Sequence, residues 1–262
     1  DIFFSGGTLR LVGWNTNEAV GTIRPMQGES TIELSGLNAT LTGPLAARQS
    51  GATLTVSATS GTLTLTGQAA GFLNQGIFFG GNYGWYDTSG TPHLRDINYG
   101  TDAGSVLVSS GAIASGSSHV KTTAVIASQP TATITTLNVA GAYDITLAGG
   151  ATLTLSGGGL LKNGGNASKI TGGTGITTGG ATELVVRADA ATDIFTLSSP
   201  ILASSTGGLT KAGQGTVVLS ATAGNAYLGA TTVASGTLKC GATGAVPSST
   251  SLFVAGAAVF DL

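Results

Sequence analysis

The chain has 262 residues and a formal net charge of −2, and only 8% of its residues are charged, against 41% hydrophobic residues and 43 glycines. An average soluble domain carries about 25% charged residues, and because no run of Lys or Arg stands out here, the sequence argues against nucleic acid as a partner. The single cysteine, Cys240, excludes an internal disulfide and a zinc site of several cysteines, and no segment has the roughly 18 consecutive apolar residues of a transmembrane segment.

Most of the chain repeats one short phrase, in which apolar residues alternate with Thr or Ser before a turn rich in Gly, Asn or Ala. The phrase recurs in residues 53–57, 61–66 and 149–159. In the last of these, Leu153 and Leu155 fall on one face of an extended strand, and the intervening hydroxyl residues fall on the other. Gly and β-branched residues interrupt every helical window except residues 43–49, so we predict an all-β chain.

Residues 71–103 depart from this phrase because they concentrate aromatic and charged side chains. An irregular segment within a repeat array is where loops that project from the face of a solenoid are expected. Its candidate contact residues are Tyr83, Trp85 and Tyr86, since aromatic rings give a large contact area at a low cost in entropy. They would either stack on the sugar rings of a glycan or on another partner, or cover a small core of the segment itself.

The charged residues of the same segment form the only local cluster that could cleave a polysaccharide, and they are His93, Arg95, Asp96 and Asp102. The other interpretation, which we favour, is a loop held together by ion pairs. Residues 80–87 superficially resemble a glycine-rich calcium repeat, but Trp85 stands where an Asp ligand is needed. Neither histidine lies beside Cys240 in sequence, and no G-x-S-x-G elbow is present. We therefore predict no catalytic, metal-binding or cofactor-binding residue and no enzymatic activity.

The spacing of the phrases is regular toward the C-terminus, where Phe195, Val217, Leu238 and Phe260 follow one another at nearly equal intervals. Their period of about 20 to 22 residues, with short strands, is typical of the coil of a β-solenoid. In a parallel solenoid each strand pairs with its equivalent about 4.8 Å above and below, so the apolar residues of successive coils stack on one another. Glycine pairs at residues 149–150, 179–180 and 207–208 are predicted to form corners between strands.

Residues 207–254 carry a more specific pattern and read GGLTKAGQGTVVLSATAGNAYLGATTVASGTLKCGATGAVPSSTSLFV. They resemble the autotransporter-associated β-strand repeat of bacterial surface proteins, which reads roughly G-x-L-T-K-x-G-x-G-T-L-x-L-S-x-x-N-x-Y-x-G-x-T-x-V-x-x-G-T-L. The matching positions are Gly208, Leu209, Thr210, Lys211, Gly213, Gly215, Thr216, Leu219, Ser220, Asn225, Tyr227, Gly229, Thr231, Val233, Gly236, Thr237 and Leu238. Two departures are Val217 in place of the usual Leu and a longer gap between Ser220 and Asn225. The resemblance implies a right-handed parallel β-helix that is exported and displayed outside the cell, commonly as an adhesin or stalk.

Together these features predict one solenoid over residues 1–262, with the irregular segment at about 71–103 and the repeat match at 207–254. We expect a structural or adhesive protein in a stalk, sheath or filament on the bacterial cell surface. The first and last phrases begin and end within a coil, which favours a longer array or copies that stack end to end. A surface glycan bound through the three aromatic residues is a second candidate partner. The alternative functions are a glycan-binding adhesin module and a polysaccharide-cleaving β-helix enzyme.

Overall fold

The computed structural model describes residues 1–13, 15, 17–116 and 118–262, and these residues form strands and loops without a helix. The chain divides into two compact units, unit 1 at Asp1–Ile97 and unit 2 at Asn98–Leu262. In each unit most strands pair in parallel with the equivalent strands one coil before and one coil after. This stacking confirms the predicted all-β parallel solenoid.

Unit 1 contains the first twelve strands of the chain. They are β1 Ile2–Phe4, β2 Gly7–Leu11, β3 Asn17–Ala19, β4 Ile23–Pro25, β5 Gly28–Leu34, β6 Thr40–Gly43, β7 Ala52–Ala58, β8 Thr62–Leu65, β9 Gly71–Phe72, β10 Ile77–Phe79, β11 Asn82–Asp87 and β12 His93–Asp96. Residues 43–49, which tolerate a helix in sequence, continue instead from the end of β6 into a loop in which Leu45 bridges to Ile23.

The parallel strands of unit 1 stack in three ladders. The first ladder pairs β1 with β4, the second runs β2, β5, β7 and β10, and the third runs β3, β6 and β8. In the second ladder Leu9 pairs with Ile32, and Ile32 pairs with Val56. Ile32 and Val56 are fully buried, and Leu63 and Leu65 of the third ladder are buried as well. The alternation read from sequence therefore places these apolar side chains in the interior.

The parallel pattern of unit 1 ends at β10. The next strand, β11, returns antiparallel to β10, and β12 and β9 both pair antiparallel with β11. Residues 71–97, which fall in the segment that the sequence marks as irregular, therefore fold as short strands that pair antiparallel with one another, and β10 also pairs in parallel with β7.

Unit 2 contains the remaining sixteen strands. They are β13 Ser105–Val108, β14 His119–Thr122, β15 Ile126–Gln129, β16 Ala132–Ala140, β17 Ile145–Leu147, β18 Thr152–Asn163, β19 Ala167–Gly172, β20 Gly175–Thr177, β21 Leu184–Ala188, β22 Ile194–Leu197, β23 Leu209–Ala212, β24 Thr216–Leu219, β25 Thr231–Val233, β26 Thr237–Cys240, β27 Leu252–Val254 and β28 Val259–Asp261. One ladder runs β13, β14, β16, β18, β21, β23, β25 and β27, with β20 paired to β18, and the other runs β15, β17, β19, β22, β24, β26 and β28.

The second ladder of unit 2 has the register that the sequence predicts. Phe195 pairs with Val217, Val217 with Leu238, and Leu238 with Phe260. Phe195, Val217 and Leu238 are fully buried, and Phe260 packs partly buried against the same core. The regular interval between these residues therefore delivers one inward-facing apolar side chain per coil.

The length of a coil varies elsewhere in unit 2 although the ladders continue. The coil that leads from Ser105 to its partner His119 is only about half as long as the coil that leads from Ala167 to its partner Ile194. Among the described residues, the shorter coil has no strand between β13 and β14, whereas the longer coil also contains β20, β21 and the corner at residues 178–183.

The predicted corners at residues 149–150, 179–180 and 207–208 lie outside strands, as expected. Gly208 shows why such a corner requires glycine. Its φ is +90°, and an added Cβ would lie only 2.5 Å from the carbonyl oxygen of Ala230 in the following coil. A side chain at this position would strain the backbone and collide with the next coil.

Candidate functional site

The three candidate contact residues lie on one strand, β11, in the antiparallel end of unit 1. Tyr83 pairs with Phe78 of β10, and the two rings stack with centroids 5.5 Å apart. The ring of Phe72 meets Tyr83 edge to face at 5.7 Å. Tyr83 is fully buried by this arrangement of aromatic side chains. The predicted glycan platform is therefore a packed aromatic cluster at this residue.

Tyr86 and Trp85 are also buried. Tyr86 belongs to the hydrophobic core cluster of unit 1, and its hydroxyl accepts a hydrogen bond of 3.0 Å from the backbone N–H of Leu65. Trp85 keeps 9% of its surface exposed. A sugar ring stacks on an exposed aromatic face, so this geometry favours the second of the two interpretations, in which the rings cover the interior.

The charged residues of β11 and β12 pair with one another. Arg95 Nε donates to Asp87 Oδ2 at 2.8 Å, and the N–H and hydroxyl of Ser89 donate to Asp87 Oδ1. These hydrogen bonds, first from Ser89 and then from Arg95, hold the pKa of Asp87 well below its usual range. A carboxylate that stays ionised and saturated with donors is a poor general acid, and here it fixes the turn between the two strands.

The other members of the predicted cleavage cluster take part in local turns. His93 Nδ1 lies 2.8 Å from the carbonyl oxygen of Thr91, and Asn82 Nδ2 donates to Asp96 at 3.4 Å. Asp102 belongs to unit 2, where its Oδ2 accepts from the N–H of Asn98 at 2.6 Å. These contacts match the interpretation of loops held by polar pairs.

An ion pair that the sequence analysis did not find lies in unit 2. Lys162 Nζ donates to Asp193 Oδ1 at 2.9 Å, and both side chains are 0% exposed. The same ammonium group donates to the carbonyl oxygens of Asn163 and Gly165, and Asp193 Oδ2 accepts from the N–H of Ala190. The pair thus joins the corner after β18 to the corner before β22.

Lys211 occupies a comparable position in the segment that resembles the surface repeat. It lies near the end of β23 beside a glycine turn, is fully buried, and donates to the carbonyl oxygens of Gly213 and Ser235. Tyr227 is also fully buried, and its hydroxyl lies 2.8 Å from Thr231 Oγ1. Lys211 and Tyr227 therefore form hydrogen bonds that hold corners of the solenoid together. A Lys near the end of an apolar strand, just before a Gly turn, is the sequence signal that would have identified Lys162 as well.

His119 and Cys240 are the remaining groups of unit 2 whose chemistry the sequence raises. His119 is buried with Nδ1 3.0 Å from Thr136 Oγ1, and burial lowers its pKa to about 4. Cys240, the last residue of β26, is only partly buried. Burial, with a smaller effect of Asp261, raises the pKa of its thiol, which keeps it protonated and weakly nucleophilic.

Three shallow grooves of about 240, 490 and 390 Å³ lie on the surface. The first is lined by Leu45, Arg48 and Asn74 among others, and the second by Thr222, Asn225 and Ser248 among others. No Asp, Glu or His lines any of these three grooves. They therefore offer no carboxylate or imidazole for acid–base chemistry.

The chain was compared with family models, curated proteins and solved structures, and none of them matches it. Among the residues that the structure describes, no group of three or more His, Cys, Asp or Glu side chains is placed to hold a metal ion. Within the same part of the chain, no helix has the length and hydropathy to cross a bilayer.

Proposed function

We propose that the chain is a structural or adhesive β-solenoid of a bacterial surface stalk, sheath or filament, related to the autotransporter-associated repeat proteins. The proposal rests on where the residues of the repeat pattern in 207–254 lie in the fold. Lys211 and Tyr227 are buried at corners, and Gly208 makes the tight turn that the pattern requires. The polar groups of these pattern residues bond to other parts of the solenoid. Residues that stabilise the fold in this way support a scaffold role.

The architecture also suits a surface scaffold in physical terms. Each coil contacts only its neighbours, so a solenoid lengthens by added coils without needing a larger core. The parallel ladders of unit 2 carry their inward apolar residues from coil to coil, and the low content of charged residues leaves few ionic contacts for salt to weaken. These properties support a rigid spacer outside the cell.

The proposal is tested by locating the protein on the cells that produce it. Antibodies raised against the purified 262-residue polypeptide should label the outer surface of intact cells in immunogold electron microscopy. Brief protease treatment of intact cells should remove this label, while a cytosolic marker protein stays intact. Label confined to the cytoplasm of sectioned cells would refute the extracellular assignment.

Self-association is the second part of the proposal. Within the described residues β27 pairs only with β25 and β28 only with β26, and Leu252 and Val259 are exposed on these strands. Exposed apolar side chains on the strands of a parallel sheet can pack against another strand, and we propose that a second copy of the chain adds its own coil there.

Sedimentation velocity tests this association. The polypeptide should form larger species as its concentration rises, and Val254→Lys, which places a charge on the β27 edge, should abolish them. Leu228→Lys is the matched control, because Leu228 is also apolar and exposed but precedes β25, one coil before the β27 edge. A monomer at every concentration, or equal effects of both variants, would refute end-to-end stacking.

Glycan binding through Tyr83, Trp85 and Tyr86 stays a prediction, and so does the cleavage of polysaccharide. The test is a glycan array probed with the wild-type protein and with Trp85→Ala. A signal that the variant loses would support a glycan-binding adhesin, and equal signals would remove the aromatic strand from consideration.

A further inference from the structure

We propose that residues 71–97 form a cap that closes the parallel ladders of unit 1 against the addition of a further strand. This inference concerns unit 1 alone and does not depend on the surface function proposed above. It rests on how the segment contacts the last strands of the second and third ladders and the loop that follows the first ladder.

The second ladder is closed by a reversal of chain direction. β10 pairs in parallel with β7 on one side and antiparallel with β11 on the other, where Phe78 faces Tyr83. The backbone groups that a following coil would use are therefore already taken by β11. Because β11 runs antiparallel to β10, a further coil would also meet a strand of the opposite direction.

The third ladder is closed by a side chain. Thr66 N–H donates to Gly43 O in the preceding coil, so Leu65 N–H, one residue earlier, points to the side of a following coil. That N–H donates to the hydroxyl of Tyr86, at 3.0 Å. A phenol oxygen thus replaces the carbonyl oxygen that another coil would supply, and no backbone donor is left buried without a partner at this position.

Two further hydrogen bonds join residues 71–97 to the coils that precede them in the chain. Thr64 Oγ1 of β8 donates to the carbonyl oxygen of Pro92 at 3.1 Å. Beside the first ladder, Arg48 Nε donates to Asn74 Oδ1 at 2.8 Å. The segment therefore contacts the last strands of the second and third ladders, and it contacts the loop that follows the first ladder, as a cap that protects edges would.

Hydrogen exchange measured residue by residue on the whole chain tests the cap. Tyr86→Phe keeps the ring and removes only the oxygen, so the exchange of the Leu65 amide should rise about fivefold, the factor that one net hydrogen bond represents. Adding Thr64→Val removes the bond to Pro92 as well, and the edge amides of β8 should then exchange roughly 25-fold faster. Amides of β5, inside the same stack, should keep their protection.

The matched controls are Thr42→Val and Tyr227→Phe. Thr42 is half-buried on β6, one coil before its partner Thr64, and Tyr227 is a buried tyrosine of unit 2, so each variant removes the same kind of group but leaves the bonds of Thr64 and Tyr86 in place. Neither should change the exchange of β8. A Leu65 amide that exchanges at the wild-type rate in Tyr86→Phe would overturn the proposed role of the phenol.

Sedimentation velocity tests whether the cap blocks association. In a Val254→Lys background, which charges the β27 edge of unit 2, the double variant Tyr86→Phe/Thr64→Val should gain a dimer that the background variant lacks. Faster exchange of β8 in a protein that stays monomeric would overturn the claim that the cap prevents strand addition. If β5 also loses protection the double variant has unfolded, and the single variant then decides.

Discussion

Lys162→Met should destabilise unit 2 far more than the loss of a charge on the surface would. The substitution leaves Asp193 fully buried without its cation, and the N–H of Ala190 is the donor that still binds its carboxylate. Breaking a buried pair by removing one partner typically costs about 3 to 5 kcal/mol, because an uncompensated charge stays in the interior. We expect a loss of that size in the free energy of unfolding of unit 2.

The double variant Lys162→Met/Asp193→Asn separates the pair from its parts. With both charges gone no group is left uncompensated, so the double variant should lose no more stability than Lys162→Met alone. Asp193→Asn alone leaves the Lys162 ammonium buried without its anion and should also cost about 3 to 5 kcal/mol, so the coupling energy of the cycle should exceed about 2 kcal/mol. Lys169→Met is the matched control, because Lys169 Nζ lies 3.7 Å from Asp144 and both side chains are about half exposed. That surface pair should be worth less than about 1 kcal/mol.

The assay must report unit 2 by itself. Both tryptophans of the chain, at positions 14 and 85, fall within the sequence of unit 1, so tryptophan fluorescence does not follow unit 2. Hydrogen exchange in increasing urea, read on peptides from β18 to β24, gives the free energy of opening of these coils. If Lys162→Met and Lys169→Met cost the same, the buried pair does not anchor the corner and the reasoning fails.

Leu238→Ala should cost unit 2 about 2 to 5 kcal/mol because its side chain is fully buried, whereas Leu228→Ala, at a side chain 57% exposed, should cost under about 1 kcal/mol. Equal losses in the same exchange experiment would contradict the assigned interior. Gly208→Ala should lower the melting temperature clearly, since it meets both a φ of +90° and the oxygen of Ala230, while Gly180→Ala, where an added Cβ has open space, should leave it nearly unchanged. The pKa of His119 is lowered to about 4, so the unfolded chain binds its proton at higher pH than the folded chain does. Stability should therefore be full above about pH 6.5 and fall by roughly 3 kcal/mol toward pH 4, and His119→Asn should flatten that fall in melting temperatures measured against pH.

The stacking of unit 2 could be predicted from sequence because two independent signals agree there. Alternation selects Phe195, Val217 and Leu238 as inward residues, and the interval between them matches one coil. Local pattern and long-range pairing then give the same answer. Where the coil length departs from that period, as between Ala167 and Ile194, the sequence shows strands but not their register.

The interior position of the aromatic strand could not be predicted. Tyr and Trp suit both a sugar-binding surface and a partly polar interior, because each has an apolar ring and a hydrogen-bonding group. Two contacts place these rings in the interior. The chain reverses after Phe79, so β11 pairs antiparallel with β10, and the N–H of Leu65 donates to the hydroxyl of Tyr86. The sequence located the departure from the repeat but not its direction.

The Lys162–Asp193 pair could not be predicted from the sequence for a different reason. The separation of the partners along the chain exceeds the repeat length, because Asp193 lies in the corner after β21, beyond Ala188, which is the equivalent of Lys162 in the next coil. A search confined to the period therefore misses it.

The strand β18 pairs with β20 and then with β21 across a longer corner, which implies that a corner of unit 2 can accept new sequence while the ladders stay in place. Residues 178–183 already lengthen one coil between β20 and β21, and Gly180 there has open space around it. A peptide grafted at this point would be held outward on a rigid support, with its length set by the graft alone. The same freedom would let such a protein diversify what it presents to its surroundings while the residues that build the stack stay under constraint.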